Sequence, residues 1–424
     1  MEALLYYVWK YRLYDESRLC TTDGTPVSVL DPGIRNTDAG PDFFNAKIKI
    51  GAELWAGNVE IHSDSSDWVK HGHHQDPAYN SVVLHVVESV LSTGKNQTAD
   101  ERIVPELILK IPDQIRQDYQ YLISKEKPVA CIDRLCEITP IYLADWLNAL
   151  LIERLERKMN QLSVLLSESK MDWNSVFYIT LCRNFGFGIN SDAFEQLARS
   201  LPLKYLMKHK DSILSMEALV FGQAGLLEQE LEDEYYRQLQ SEYDYLRKKY
   251  KLKPVTGNMM KFARIRPGNF PHIKIAQLTA LIQRQEFLFS KMLELEDIGE
   301  LRQLFVSELH DYWQTHYHFG SASVLKEKKM GIKSLDIIAI NTIAPVLFIY
   351  GKNNGQPELS ERAVRLLEKI EPEKNTITDL FRQVGVIITN AIESQALIQL
   401  KKEYCDKKKC IYCRIGHQLL ARKE

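Results

Sequence analysis

Asp42, Glu60 and His62 are the residues here whose types and spacing most readily support chemistry. Asp42 follows Pro41, and 17 residues separate it from the triplet Glu60-Ile61-His62. Carboxylates that far apart in a chain meet when they lie on neighbouring strands. Residues 60 and 62 are two apart, so both point to the same face of a strand. Two carboxylates and the Ile61 carbonyl offer the oxygen ligands that Mg²⁺ prefers, and such an ion polarises a phosphoryl oxygen and lowers the pKa of a bound water. His62 adds either a general base or a nitrogen ligand, which favours Mn²⁺ or Zn²⁺ over Mg²⁺. The pattern predicts a divalent-metal site in which Asp42, Glu60 and His62 are both ligands and catalytic groups.

Supporting histidines follow within a short stretch: His71, His73 and His74, then His85. With Asp42, Glu60 and His62 they offer the donors of a nitrogen-rich zinc site. A plainer account is open for each. His85 lies in the apolar run "VVLHVV" and reads as a core histidine bonded to a neighbour, while His71 and His73 read as a solvated turn or as groups facing a phosphate. A second cluster stands near the C-terminus, where Cys405, Cys410, Cys413 and His417 form C-x4-C-x2-C-x3-H. Thiolates at this spacing suit zinc, or three ligands of an iron–sulfur cluster; the alternative is a set of reduced thiols at a helix end. Nucleic-acid contacts are assigned to Lys407, Lys408 and Lys409 in this tail, and to Arg264 and Arg266 before the turn "RPGNFP". Between Lys401 and Glu424 there are eight Lys and Arg against three Asp and Glu; a solvated helix face accounts equally well for such a run. The histidines of "ELHDYWQTHYHFG" read as packing against aromatic rings.

The elements that must position these groups fall into two regions. Residues 1–116 read as α/β: a helix with Leu4, Leu5, Val8 and Trp9 on one face, then short strands around "VSVL", "NAKIKI", "ELWAGNVEIH", "VVLHVV" and "VPELILK". Asp67–Asn80 reads as a short helix or an irregular crossover. Residues 117–129 read as a polar linker. Residues 130–424 form a mainly α-helical domain ending in the cysteine cluster, with a capped start at Thr139-Pro140 and no fixed repeat. The fold class expected is thus a small mixed sheet with helices, followed by a helical domain.

Composition bounds the function classes. At 424 residues, two domains are the default, and 45% hydrophobic with 26% charged residues is ordinary for a globular protein. The N-terminus lacks the basic start and unbroken apolar run of a signal peptide. The apolar segment Leu335–Tyr350 is short for a bilayer span, so a cytoplasmic protein without a membrane partner is expected. Seven cysteines fit reduced thiols or a metal site better than a disulfide framework. The net charge of −2 supplies no general attraction to nucleic acid, but it is uneven. Residues 1–115 hold 10 Lys and Arg against 17 Asp and Glu, and the remainder holds 44 against 39.

The Pro41-Asp42 pair, the Glu60-Ile61-His62 triplet and the order helix, strands, crossover, strand resemble the PD-(D/E)XK restriction-endonuclease-like nucleases over about the first 110 residues. The resemblance implies a metal-dependent phosphodiesterase acting on DNA or RNA, with Mg²⁺ or Mn²⁺. His62 stands where that pattern has lysine, which removes a permanent cation from beside the phosphate. Nucleases of this fold can also carry a cysteine-held cluster with a fourth cysteine from elsewhere, here Cys131 or Cys136. Over nearly its whole length the chain, through "GPDFFNAKI", "WAGNVEIHSDSSDW", "RIRPGNFP" and "CIYCRIG", resembles an uncharacterised bacterial family typical of Bacteroidetes, which implies no activity. Three functions remain in view: an active nuclease-like phosphodiesterase, a nucleic-acid-binding or scaffold protein that keeps the fold without catalysis, and a zinc hydrolase built on His62, His71 or His73 with Glu60.

Overall fold

A computed structural model describes residues 2–91, 96–123, 127–255 and 259–421. The chain divides into two compact units. One comprises Met1–Trp146 with Leu400–Glu424, and the other Leu147–Gln399. The division falls within the long helix Pro140–Glu168, and the terminal cysteine segment belongs to the first unit. The stretch expected as a linker, 117–129, begins inside a helix that buries Leu122, while 124–126 lie outside the described residues.

The first unit opens with α1 (Glu2–Lys10), whose Leu4, Leu5, Val8 and Trp9 are fully buried. A six-stranded mixed sheet follows: β1 (Val27–Asp31), β2 (Ile34–Arg35), β3 (Phe43–Ile50), β4 (Glu53–Asp64), β5 (Val82–Ser89) and β6 (Glu106–Ile108). Its order is β1-β3-β4-β5-β6, with β2 paired to β3 at the side. β1, β3 and β4 run antiparallel, so tight turns suffice between β3 and β4. β4, β5 and β6 are parallel. Parallel neighbours need a crossover, and the segment between β4 and β5 supplies one through α2 (Asp67–Lys70). β5 is buried along Val82–Val87, as its unbroken apolar run requires. Gly57 lets β4 and β5 approach closely, because a Cβ there would lie 2.3 Å from Val83 Cγ1 and 2.7 Å from the Ser81 carbonyl. After β6 comes α3 (Asp113–Ile123).

The second unit is helical among its described residues. Its core joins Phe177, Leu181, Phe194, Leu219, Phe221, Ile273, Leu281, Trp313 and Leu347 into one apolar cluster. The segment Ile332–Asn353 forms one helix of 22 residues, longer than the apolar run alone suggests, because Ile332–Ser334 and Gly351–Asn353 extend it. It is long and apolar enough to cross a membrane, but 72% of its most apolar window is buried inside the unit. A carboxylate lies in this core. Glu217 accepts hydrogen bonds from Trp313 Nε1 at 3.1 and 3.0 Å and from the Tyr235 hydroxyl at 2.8 Å.

Burial pushes the Glu217 pKa up to about 7 against these donors. The native protein therefore holds a proton that the unfolded chain releases near 4.5. Stability should be full below about pH 4.5 and fall as pH rises through 7, by up to about 3 kcal/mol for this group. Urea unfolding of wild type and Glu217→Gln across that range checks this. Between about pH 4.5 and 7 wild type should lose stability relative to the variant; parallel profiles would show that Glu217 does not titrate in this way.

Candidate metal centre

β4 sends Val59 and Ile61 to one face of the sheet, where both are fully buried, and Glu60 and His62 to the other. Register extends the polar face across the parallel strands: Glu60 pairs with His85 on β5, and His85 with Glu106 on β6. The crossover then covers this row. Asp64 accepts from the Ser66 and Leu91 backbone N–H groups, each at 3.0 Å, and so turns the chain out of β4. Trp68 is fully buried, and its Nε1 donates to the Gln97 carbonyl at 2.8 Å. From that anchor the chain curls back through His71 N to Asp67 O at 2.9 Å and His73 N to Trp68 O at 3.1 Å. Gly72, between the two histidines, takes φ +75°, a left-handed conformation that glycine accepts without strain. The Tyr79 ring stacks on His73 with centroids 3.8 Å apart.

These elements bring three histidine nitrogens together. His62 Nε2 lies 3.1 Å from His71 Nδ1 and 3.3 Å from His73 Nε2. Around a tetrahedral ion with bonds of about 2.0–2.1 Å to nitrogen, ligand atoms stand about 3.3 Å apart. These two separations match edges of such a coordination sphere, and all three nitrogens lie within 4.8 Å of one another. His62 and His73 are buried and His71 is exposed, so the group opens to solvent on one side. Glu60 Oε1 flanks it, 3.2 Å from His73 Nε2 and 3.5 Å from His62 Nε2. The group can hold a metal ion.

Buried polar contacts link His62 to His85, and His85 to Asn96 and Glu106. Burial pushes the His62 pKa down to about 3, with His85, His73 and His71 adding to the effect. Burial likewise lowers His85, against the pull of Glu106. Burial alone would raise Glu106, but hydrogen bonds from His85, Ser65 and Asn96 hold its pKa below the usual value. At neutral pH the partners are thus a carboxylate and two neutral rings. His85 Nδ1 lies 3.3 Å from Glu106 Oε2, an acceptor, and 2.9 Å from Asn96 Nδ2, a donor, and the two contacts select opposite tautomers of the ring. His85 Nε2 lies 2.9 Å from His62 Nδ1, and one of the two nitrogens carries the hydrogen between them. His62 Nε2 faces His71 and His73. Asn96 Nδ2 donates to the same Glu106 oxygen at 2.7 Å.

Asp42 is tied into the site differently from the histidines. Its Oδ1 pairs with Arg35 Nη1 at 2.7 Å, and its Oδ2 accepts from the Ile61 N–H at 3.0 Å. Its own N–H donates to Glu60 Oε2 at 3.0 Å. Asp42 thereby orients Glu60, leaving Oε1 for the histidines. Burial raises the Glu60 pKa, with His73 opposing and Asp42 reinforcing that shift. Arg35, Glu106, Asn96, Trp68 and Tyr79 escaped the reading of the sequence. An acidic residue inside the apolar run "VPELILK" was the visible sign of Glu106.

The remaining predicted residues lie elsewhere. His417 Nδ1 is 2.9 Å from the Tyr7 hydroxyl, and its ring packs on Tyr11. Cys405, Cys410 and Cys413 belong to the first unit as free thiols. Lys407 pairs with Glu403 at 2.5 Å, and Lys409 is exposed. Arg264 and Arg266 are exposed residues of the second unit. His310 and His316 stack on Tyr235 and Tyr312, as their aromatic surroundings suggest.

If the hydrogen-bond chain orders the ligand, Glu106→Gln should weaken zinc binding about 10- to 100-fold without changing the far-ultraviolet circular dichroism. Competition against a chromogenic chelator measures this. Wild-type affinity in the variant would show that Glu106 has no part in preparing His62.

No curated protein and no solved structure matches the chain. One family model does, over residues 2–376, nearly the full length. The chain with this histidine group belongs to the DUF2851 family, a family of proteins of unknown function.

Proposed function

We propose that this protein is a metal-dependent hydrolase of the zinc type that cleaves phosphodiester bonds in nucleic acid. The observation that carries the proposal is the convergence of His62 Nε2, His71 Nδ1 and His73 Nε2, with Glu60 Oε1 beside them. Three imidazole nitrogens suit zinc, or Mn²⁺, better than Mg²⁺, and a three-histidine set leaves a fourth position for water or substrate. When bound, the ion lowers the pKa of its water and polarises the scissile phosphate.

The protein's own groups have distinct tasks in this reading. Glu60 Oε1 accepts the proton of the attacking water, and its burial raises its basicity for that role. Asp42 orients Glu60 through its backbone N–H. Arg35, whose side chain is 29% exposed, is a cation near the same strand ends that can meet a phosphate oxygen. The phosphodiester assignment is supported by element order: a helix, a strand beginning after Asp42, a strand carrying Glu60-Ile61-His62, a crossover and a parallel strand. That order is the one the PD-(D/E)XK resemblance implies. Here the histidine in the lysine position turns toward other histidines.

A second reading has its own observation. Glu60, His62 and His73 are each under 10% exposed, which also suits an ion that staples the crossover to the sheet in a non-catalytic nucleic-acid-binding protein. Assays on single- and double-stranded DNA, RNA and a chromogenic phosphodiester, with Zn²⁺, Mn²⁺ or Mg²⁺ added to stripped protein, separate the two. Zn²⁺ or Mn²⁺ should support cleavage. His73→Ala should lose metal and activity together, and Glu60→Gln should keep metal while losing at least about 100-fold in rate. Metal binding without cleavage of any substrate would favour the staple. Cleavage unchanged in His73→Ala would remove the histidine group from the reaction.

A further inference from the structure

A second gathering of metal-loving side chains lies in the first unit, apart from the histidine group. Cys410 and Cys413 sit on one tight turn, closed by Cys413 N to Cys410 O at 3.1 Å. Cys410 Sγ lies 3.4 Å from the carbonyl of Leu122, in the last turn of α3. The helix Arg414–Leu420 folds back on this turn so closely that a Cβ on Gly416 would fall 2.0 Å from the Cys410 carbonyl oxygen. Glycine is therefore required there. The fold directs the N–H groups of Ile415 and Gly416 at Cys413 Sγ.

Two more thiols share this space. Cys131, at the start of the turn Ile132–Glu137, interacts with Cys413 and Cys410, and Cys405 interacts with Cys131, Cys413 and Cys410. Burial pushes the Cys131 and Cys410 thiols up, to about 12 and about 11, so without a cation these sulfurs stay protonated. Their surroundings nevertheless present donors. Trp146, 6% exposed, has an indole N–H with no acceptor within hydrogen-bonding geometry, and it lies against Cys413. A buried donor without an acceptor costs about 1–3 kcal/mol, and an anionic sulfur removes that cost. A metal ion converts buried thiols to thiolates outright.

We propose that Cys131, Cys405, Cys410 and Cys413 form a four-thiolate metal centre, with Trp146 and the Ile415 and Gly416 amides as donors to its sulfur. His417, whose Nδ1 meets the Tyr7 hydroxyl, is not among the groups that act on these thiols, and it is left out of the proposed ligand set. Cys136 is exposed and turned to the Asp133 carbonyl, so it is not the fourth cysteine. Four thiolates suit either a zinc ion or an iron–sulfur cluster.

The test is metal and acid-labile sulfide analysis, with visible absorption, on full-length protein purified anaerobically. His73→Ala protein, measured in parallel, keeps histidine-bound metal out of the count. Iron with sulfide and a brown colour, or zinc without colour, bound one centre per chain, supports the centre and says which metal fills it. The content should fall to background in Cys131→Ser and Cys413→Ser, and stay unchanged in Cys136→Ser and His417→Ala. His73→Ala protein that holds neither iron nor zinc overturns the proposal. So does metal retained in folded Cys131→Ser, or lost in folded His417→Ala.

Discussion

Burying ionisable groups in a sheet is the constraint on which the first unit depends. Glu60, His62, His85 and Glu106 are each under 10% exposed, on strands whose other face is apolar. An unpaired charge or polar group in such a place costs several kcal/mol. The row satisfies itself through contacts that link Glu106, Asn96, His85 and His62. At its far end His62 Nε2 faces the crossover. His71 and His73 bring two more nitrogens to it. Ring nitrogens crowded to 3.1 and 3.3 Å gain from a shared cation.

The rest of the unit serves this arrangement. The parallel register places Glu60, His85 and Glu106 in line. Trp68 fixes the crossover above them, and Tyr79 holds the His73 ring flat. Asp42 orients Glu60 without approaching the histidines through its own carboxylate, which Arg35 and the Ile61 amide occupy. In the second unit the same rule of burial takes a simpler form. Burial of Glu217 outweighs the hydrogen bonds from Trp313 and Tyr235, so it keeps a proton to higher pH.

Much of this was legible in the residues alone. Period-two alternation and apolar runs marked β3, β4 and β5, and the two-residue spacing put Glu60 and His62 on one face. The mixed sheet followed by helices followed from the same patterns. What could not be read was convergence. His71 and His73 meet His62 because Gly72 takes positive φ and Trp68 reaches the Gln97 carbonyl, and neither contact leaves a mark in local spacing. Glu106 joins the row through strand register, a pairing across 21 residues. Likewise Cys131 acts on Cys405 across 274 positions, whereas His417, four residues beyond Cys413, turns its Nδ1 to Tyr7. Short-range spacing proposes ligands; tertiary register selects among them.

The most direct measurement is an anomalous-difference map from crystals of the purified protein, recorded on both sides of the zinc absorption edge. The account predicts a peak within about 2.0–2.1 Å of His62 Nε2, His71 Nδ1 and His73 Nε2. A zinc-replete crystal with no peak there, and with the three rings turned to separate hydrogen-bond partners, would contradict it.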